Sequence, residues 1–359
     1  MKNNSSNLAT SIRLFVVLKI LLFVQASIGS SSIYPVNNLE SSLAASSSQA
    51  SVIALRCHDC IVVLSMSPPS KDQTCNLTLS NAISANDEVI DETQGLTDTN
   101  KEDGSGLIPI THRGPISTVT TLDSSSIISR GTKRRSRIMH LLQENSGLAL
   151  FMTGFASDTQ YLARYAAGHI SQEEQIYAGT YINARDLMRN ALGPLIQRAT
   201  LSSGSRPFGV QALAVSPAKP NENDMPRSTS AMIMTTLDPS GNLRYWHGMG
   251  AFIGKDSNLN QKHLHQILEK AGTTLENKPE TWRDGLHICI KALLETAEES
   301  QNLRVTPSDE IISELDALVI FDNRGMRNHS CARIDQKVLN ELFSKCYAST
   351  SEKNVNTNS

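Results

Sequence analysis

The chain has 359 residues, a formal net charge of −2 and a pI near 6.5, so no global basic field exists to recruit nucleic acid or an anionic membrane. Hydrophobic residues make up 39% and aromatics only 5%, diluted by long Ser/Asn/Thr-rich stretches, which predicts one domain of ordinary size with low-complexity additions. The six cysteines, Cys57, Cys60, Cys75, Cys289, Cys331 and Cys346, are scattered, which excludes a dense disulfide scaffold. Cys57-His58-Asp59-Cys60 has CxxC spacing, but no second pair at metal-finger distance follows it.

At the start of the chain, Lys2 and Arg13 precede an apolar stretch from Leu14 to Ala26, interrupted by Lys19 and ending in Val24-Gln25-Ala26. A charged region, an apolar core and small residues at a cleavage position are the layout of a secretory or organellar leader. The stretch is shorter than the ~20 residues of a membrane span. Residues 1–26 therefore read either as a removable leader or as an extension. Ser27 to Gln49 is rich in Ser, Ala and Asn, with one helical piece from Tyr34 to Ser46. Ser51 to Arg56 and Cys60 to Leu64 are apolar runs around a polar turn, which predicts a β-hairpin.

Residues 68–137 are polar, with acidic residues from Asp87 to Asp103, and close on Lys133-Arg134-Arg135 and Arg137. This composition predicts a disordered surface insertion. Its basic end reads as a solvated loop end or a nuclear-localisation cluster. Asn76-Leu77-Thr78 and Asn328-His329-Ser330 have the glycosylation spacing, a common chance occurrence. Order is predicted to resume at Ile138. Gly147 to Gly154 is a strand-length apolar run ending in glycine. A helix is predicted from Ser157-Asp158, with Tyr161, Leu162, Tyr165 and Ile170 at helical spacing. A second helix from about Asn183 carries Leu187, Ala191, Leu195 and Ala199, and Pro194 predicts a reset near Gly193.

Gly209 to Val215 is a further strand. Ala231 to Leu237 and Leu243 to Ile253 form a pair around the turn Asp238-Pro239-Ser240-Gly241. Helices are predicted over Asn260–Ala271 and Trp282–Glu298, then a strand over Leu315–Phe321, a helix over Ile334–Cys346 and a disordered tail over 347–359. Helices grouped between hairpins predict antiparallel sheets covered by helical layers rather than a βαβ repeat.

Five segments in this order resemble the α-type members of the proteasome subunit family. Ser205-Arg206-Pro207-Phe208-Gly209-Val210 is similar to the family's RPFGV segment, and follows a helix carrying Gln197 and Thr200. Asp238-Pro239-Ser240-Gly241 with Ala251-Phe252-Ile253-Gly254 resembles its DPSG…AIG stretch. Gly154-Phe155-Ala156-Ser157-Asp158 looks like its strand-to-helix turn, Ser32-Ile33-Tyr34-Pro35-Val36 loosely like its N-terminal helix, and Arg56-Cys57-His58-Asp59 like its RCKDG hairpin. The resemblance covers roughly Tyr34–Leu64 and Ile138–Cys346. It singles out Tyr34, Asp158, Arg206, Pro207, Phe208, Gly209, Asp238, Gly241 and Gly254 as structural motif residues.

The resemblance implies an α+β fold, a four-layer αββα sandwich of the N-terminal-nucleophile class, over residues 27–346. Hydrolysis on that scaffold needs an N-terminal nucleophile whose own amine acts as base, with a carboxylate and a lysine nearby. Counted from the hairpin, the nucleophile position falls on Ala50 and the carboxylate position on Met66, while the lysine position falls in the insertion. A one-residue slip would place Ser51 at the nucleophile position, but Ser48-Gln49-Ala50 offers no glycine at the self-cleavage point. His140, His247, His263, His265 and His287 lie on different elements and read as packing or surface histidines. No catalytic residue, cofactor or metal is expected.

The implied role is a non-catalytic structural subunit of the 20S proteasome α ring, contributing to ring assembly and substrate gating in ubiquitin-dependent proteolysis. Its implied partners are other α and β subunits and regulatory particles, with no nucleic acid and no membrane for the mature chain. The helices at about Ser157–Gln172 and Asn183–Ala199 would face a partner ring. Cytoplasm and nucleus are the implied locations. The apolar leader points instead to the secretory path or an organelle, and to a degenerate paralogue with a binding role. An active Ser51-type amidohydrolase is the third reading. Activator docking in the family uses a lysine just after the hairpin, and Met66 to Ser70 contains none.

Overall fold

The computed structural model describes residues 33–48, 50–66, 106–110, 113–118, 134–143, 147–177, 182–202, 205–218, 232–275, 277–301, 315–322 and 331–356. In chain order these form α1 (Ile33–Ser47), β1 (Ser51–Arg56), β2 (Cys60–Met66), β3 (Leu107–Pro109), β4 (Gly114–Thr118), β5 (Arg134–Gln143) and β6 (Leu148–Gly154). Next come α2 (Ala156–Ile176) and a composite helix α3, made of Ala184–Asp186, a π-helical turn Leu187–Leu192, and Gly193–Leu201. The rest is β7 (Val210–Pro217), β8 (Met232–Leu237), β9 (Leu243–Tyr245), β10 (Gly250–Gly254), α4 (Ser257–Lys270), α5 (Trp282–Gln301), β11 (Leu315–Phe321), β12 (Cys331–Ile334) and α6 (Gln336–Asn356).

Two six-stranded sheets result, ordered β10-β1-β2-β11-β12-β3 and β4-β5-β6-β7-β8-β9, with every pairing antiparallel. Strand side chains alternate between two apolar clusters, because successive Cβ atoms leave a strand on opposite faces. In β1, Ile53 and Leu55 turn toward α4 and α5, while Val52 and Ala54 turn toward the other sheet. In β6, Leu150 and Met152 meet α2 and α3, and Ala149 and Phe151 face between the sheets. Three cores separated by two sheets give the αββα order: α4–α6, first sheet, second sheet, α2–α3.

Four local expectations change. The helical stripe of α2 is inward at Leu162, Ala163, Ala166 and Ile170, while Tyr161 and Tyr165 are exposed. The run Leu243–Ile253 is two strands in different sheets, β9 and β10. Arg56 holds the crossing between them: Nε donates to the Gly248 carbonyl at 3.1 Å, Nη2 to that of Trp246 at 2.8 Å, and Nη1 to that of Met232. The last helix starts at Gln336 after a strand at Cys331–Ile334, and runs past Cys346 to Asn356, where a tail was expected from 347.

The span 68–137 is not one unbroken insertion. β3 adds to the edge of the first sheet beside β12, and β4 adds to the edge of the second beside β5. Between them Ile110 packs against the inter-sheet core and donates its N–H to the Cys331 carbonyl at 3.1 Å. Arg113 forms two bonds to the Glu174 carboxylate, at 2.9 and 2.8 Å, and Gln143 adds a third at 2.7 Å. Residues 107–110 and 113–118 thus strap the two sheets on one side. Strands this short show no alternation to read, and their pairing depends on edges made elsewhere in the chain. Pro109 and Pro115 lie on those edge strands, where a missing N–H discourages further pairing.

The reset expected at Gly193 is present. Pro194 has no N–H to give to the preceding turn, and the ladder slips so that the Gly193 N–H reaches the Met188 carbonyl.

Candidate functional site: the mouth between the sheets

The inter-sheet space opens where β1 begins, β2 ends and β11 begins, since Ser51 pairs with Met66 and Met66 with Leu315. Ala50 lies directly before β1 and is 4% exposed. Its carbonyl accepts the Lys255 N–H at 2.9 Å. Gly254 approaches the same carbonyl so closely that a Cβ there would come within 1.8 Å of it, and its φ of +87° is left-handed. Glycine alone suits that position. The Gly254 N–H donates to Gln211 Oε1 of β7 at 2.8 Å, which joins the two sheets at the mouth.

By alternation Ala50 shares the inter-sheet side of β1 with Val52 and Ala54. Ser51 falls on the helix side with Ile53 and Leu55. The Ser51 hydroxyl is buried and donates to the Lys255 carbonyl at 2.7 Å. Met66 packs against the helix-side core. Deeper in, Asp316 of β11 pairs with Ser65 and shares the inter-sheet side with Leu318 and Ile320. Arg333 Nε donates to its carboxylate at 2.9 Å. Burial pushes the Asp316 carboxyl up from its usual range, and Arg333 opposes that rise.

α1 closes the mouth. Ser42 Oγ donates to the Pro207 carbonyl at 3.3 Å, and Thr153 Oγ1 of β6 donates to the Ser46 carbonyl at 3.2 Å. The helix ends at Ser47, three positions before Ala50 and the start of β1.

The motif residues are brought together in pairs that sequence distance conceals. The buried Asp158 carboxylate accepts from Arg206 Nη2 at 2.6 Å and from the Gly209 N–H at 3.0 Å. The Phe155 N–H donates to the Gly209 carbonyl at 3.0 Å, and a Cβ on Gly209 would strike the Phe155 ring at 2.5 Å. Phe208 stacks on Tyr161 with ring centroids 5.7 Å apart. The turn at β6–α2 and the loop before β7 are therefore one unit, and Pro207 in that loop is the acceptor for α1. Asp238 Oδ1 accepts from the Ser240 and Asn242 N–H groups at 2.9 and 3.0 Å, closing its turn. Thr200 Oγ1 of α3 donates to the Pro239 carbonyl at 2.8 Å, and Gly241, with φ +82°, lies against Gln197. Tyr34 is in α1, and its side chain lies outside the described residues.

Other candidates disperse. Cys57 and Cys60 close the hairpin turn, both buried, with the Cys57 N–H on the Cys60 carbonyl at 2.8 Å. Donation of the Cys57 S–H to Cys60, together with burial, pushes the Cys57 thiol far up, so it stays protonated. Burial also pushes Cys346 up to about 12. Cys75 and both glycosylation triplets reach outside the described residues. His140 and His263 are buried, His247 and His265 exposed, and His287 half-buried. Among the described residues no three His, Cys, Asp or Glu side chains group as metal ligands, and no helix is long and apolar enough to cross a membrane.

With this geometry, residues 121–304, just over half of the chain, match the family model described as Proteasome subunit. The chain belongs to the proteasome subunit family. It is also 29% identical over 209 residues to a proteasome subunit alpha type-7 of Trypanosoma brucei brucei, a match covering 56% of this chain and 72% of that one. Within the family it is a divergent α-type member, and its two antiparallel sheets and helical layers are the family's architecture. Sequence reading did not single out Gln211 or the Asp316–Arg333 pair, and it placed Arg56 in the hairpin text without its partners. Each is a polar residue in or beside a strand whose partner lies in another element, and nothing local marks it.

Proposed function

We propose that this chain is a non-catalytic structural subunit of a 20S-type proteasome α ring, contributing to ring assembly and to closing the chamber entrance in ubiquitin-dependent proteolysis. The observation that carries the reading is the buried alanine directly before β1, on the inter-sheet side where the resemblance puts the nucleophile. Acyl transfer on this scaffold needs a hydroxyl or thiol beside a free terminal amine. A methyl group at Ala50 supplies neither nucleophile nor proton transfer. Ser51 does not replace it, because its hydroxyl is on the helix side and committed to Lys255.

The partners on this reading are other α and β subunits, with regulatory particles beyond them, in cytoplasm and nucleus. Met66 to Ser70 lacks a lysine, so activators that dock through one would bind weakly. The apolar run Leu14–Ala26 favours a second reading, an exported or organellar relative with a binding role. The test is a C-terminally tagged chain, separated from native lysate by size, with its N-terminus sequenced. Co-elution with other proteasome subunits in a particle of several hundred kilodaltons is the expected result. A small species beginning near Ser27 would overturn it in favour of the second reading. Peptidase activity lost on Ser51→Ala would overturn the non-catalytic assignment.

A further inference from the structure

The tip of the β1–β2 hairpin holds two thiols that the proposed function does not use. β1 and β2 pair in register from Ser51 and Met66 to Arg56 and Ile61, so the next residues opposite each other are Cys57 and Cys60. The Cys57 N–H donates to the Cys60 carbonyl at 2.8 Å, which makes them a hydrogen-bonded pair around the turn His58-Asp59. In such a pair the Cα atoms stand about 5.5 Å apart, within the range that a disulfide spans. Both side chains enter the helix-side core, and the Cys57 S–H is directed at Cys60. Closing a bond between the sulfurs therefore needs no change of register or of face.

The surroundings hold this arrangement. A Cβ on Gly285, in the first turn of α5, would come within 2.3 Å of Cys57 Sγ. Glycine weakens a helix, and here it makes room for that sulfur. The turn itself is tied down on both sides. The His58 N–H donates to the Pro279 carbonyl at 3.0 Å, and the Asp59 carbonyl accepts the Asp322 N–H at 2.8 Å. The His58 and Asp59 side chains are 73% and 70% exposed, so the sulfurs lie one residue beneath solvent. The turn does not demand Cys60, because the RCKDG text that this hairpin resembles has glycine in that place. A third thiol, Cys289, follows Gly285 by one helical turn, is buried in the same core and lies close to Cys57.

We propose that Cys57 and Cys60 are a dithiol–disulfide pair, closed across the hairpin tip by exchange with a small disulfide. Cys60 attacks first, since burial holds Cys57 in its protonated form. Its thiolate joins one sulfur of the oxidant, and the other sulfur leaves as a thiol. Cys57 then gives up its proton and attacks the Cys60 sulfur of that mixed disulfide, releasing the second thiol. The pair loses two electrons and two protons, and the oxidant gains both as two thiols. Because both sulfurs are buried, exchange waits on local opening of the turn and is slow in the native chain.

The test uses the full chain, purified natively and freed of reductant, in buffers of increasing oxidised-glutathione fraction until its composition stops changing. After acid quenching, denaturation and alkylation, the tryptic peptide Cys57–Lys71 is read by mass spectrometry. At the oxidising end it should lose both alkylatable thiols and be lighter by two hydrogens, while Cys289 stays free. Dithiothreitol should restore both thiols, and Cys289→Ala should leave the bond intact. The readout is on the wild-type chain, so it depends neither on the folding of a variant nor on assembly into a particle. A glutathione adduct that persists on either cysteine, or a bond from either to Cys289, overturns the pairing. A peptide that stays fully alkylatable in every buffer overturns the inference altogether.

Discussion

The α2–α3 layer and the α4–α6 layer cover equivalent sheets, but they place their carboxylates differently. On α2 the acidic residue Asp158 is buried and organises a loop far away in sequence. On α4–α6 exposed acids pair with lysines, Glu299 with Lys262 at 2.9 Å and Glu341 with Lys345 at 2.6 Å, and Glu299 also meets His263 at 2.7 Å. Buried charges are costly to leave unpaired and therefore specify geometry, whereas exposed pairs are screened and specify little. One layer is built around fixed internal partners with an arginine and tyrosine exterior. The other has the solvated exterior of an ordinary surface.

The largest expected effect tests whether burial governs these carboxylates. Asp316→Ala should destabilise the chain by about 3–5 kcal/mol, because a buried guanidinium then loses its carboxylate. Arg333→Met should cost less, since Asp316 can take up a proton and arginine cannot release one. Equal losses by chemical denaturation would break the argument. Next, Asp158→Ala should cost about 2–3 kcal/mol, mostly from the buried Gly209 N–H left without an acceptor. A loss confined to the exposed Arg206 contact would give a much smaller change in denaturation midpoint.

Glu174 tests the strap at residues 107–110 and 113–118. Burial opposes its ionisation, but hydrogen bonds from Arg113 and Gln143 hold its carboxyl below the ordinary range. A depressed folded-state pKa contributes stability above the unfolded carboxylate pKa, and that stability is lost as pH falls through the lower folded value. Glu174→Gln should therefore reduce stability by less than about 1 kcal/mol at neutral pH, with the difference from wild type vanishing in acid. A difference that grows on acidification would contradict this origin. Smallest of all, Glu341→Gln on the lysine-bearing layer should leave the melting temperature unchanged. A clear shift there would erase the contrast between the layers.

Much of the sandwich was legible. Continuous apolar runs marked β1, β2, β6, β7 and β11, and capped amphipathic segments marked the helices. The Pro194 reset was visible because proline acts locally. The errors share a cause. The inward stripe of α2 was mistaken because tyrosine is apolar enough to enter a core and amphipathic enough to stay out. Leu243–Ile253 read as one strand because sheet membership depends on Arg56, which lies far away in the chain. The strap read as loop because three to five paired residues carry no period of their own.

At the site, the motif text placed Asp158, Arg206, Gly209, Asp238, Gly241 and Gly254 without revealing why they matter. Folding showed Asp158 to be the acceptor for the Arg206 loop, and Gly254 to be the close neighbour of the Ala50 carbonyl.

The sequence by itself determined the elements, their order and the alanine at the start of β1, because these follow from local propensity and from residue identity. It also determined the absence of lysine from the α2–α3 region, although not that its arginines face outward together. Only the tertiary structure decided which strands share a sheet, which carboxylates are buried, and that α1 lies across the mouth. Those outcomes depend on contacts between residues far apart in the chain, as between Ser65 and Asp316, separated by 251 positions, and no local pattern encodes such a meeting.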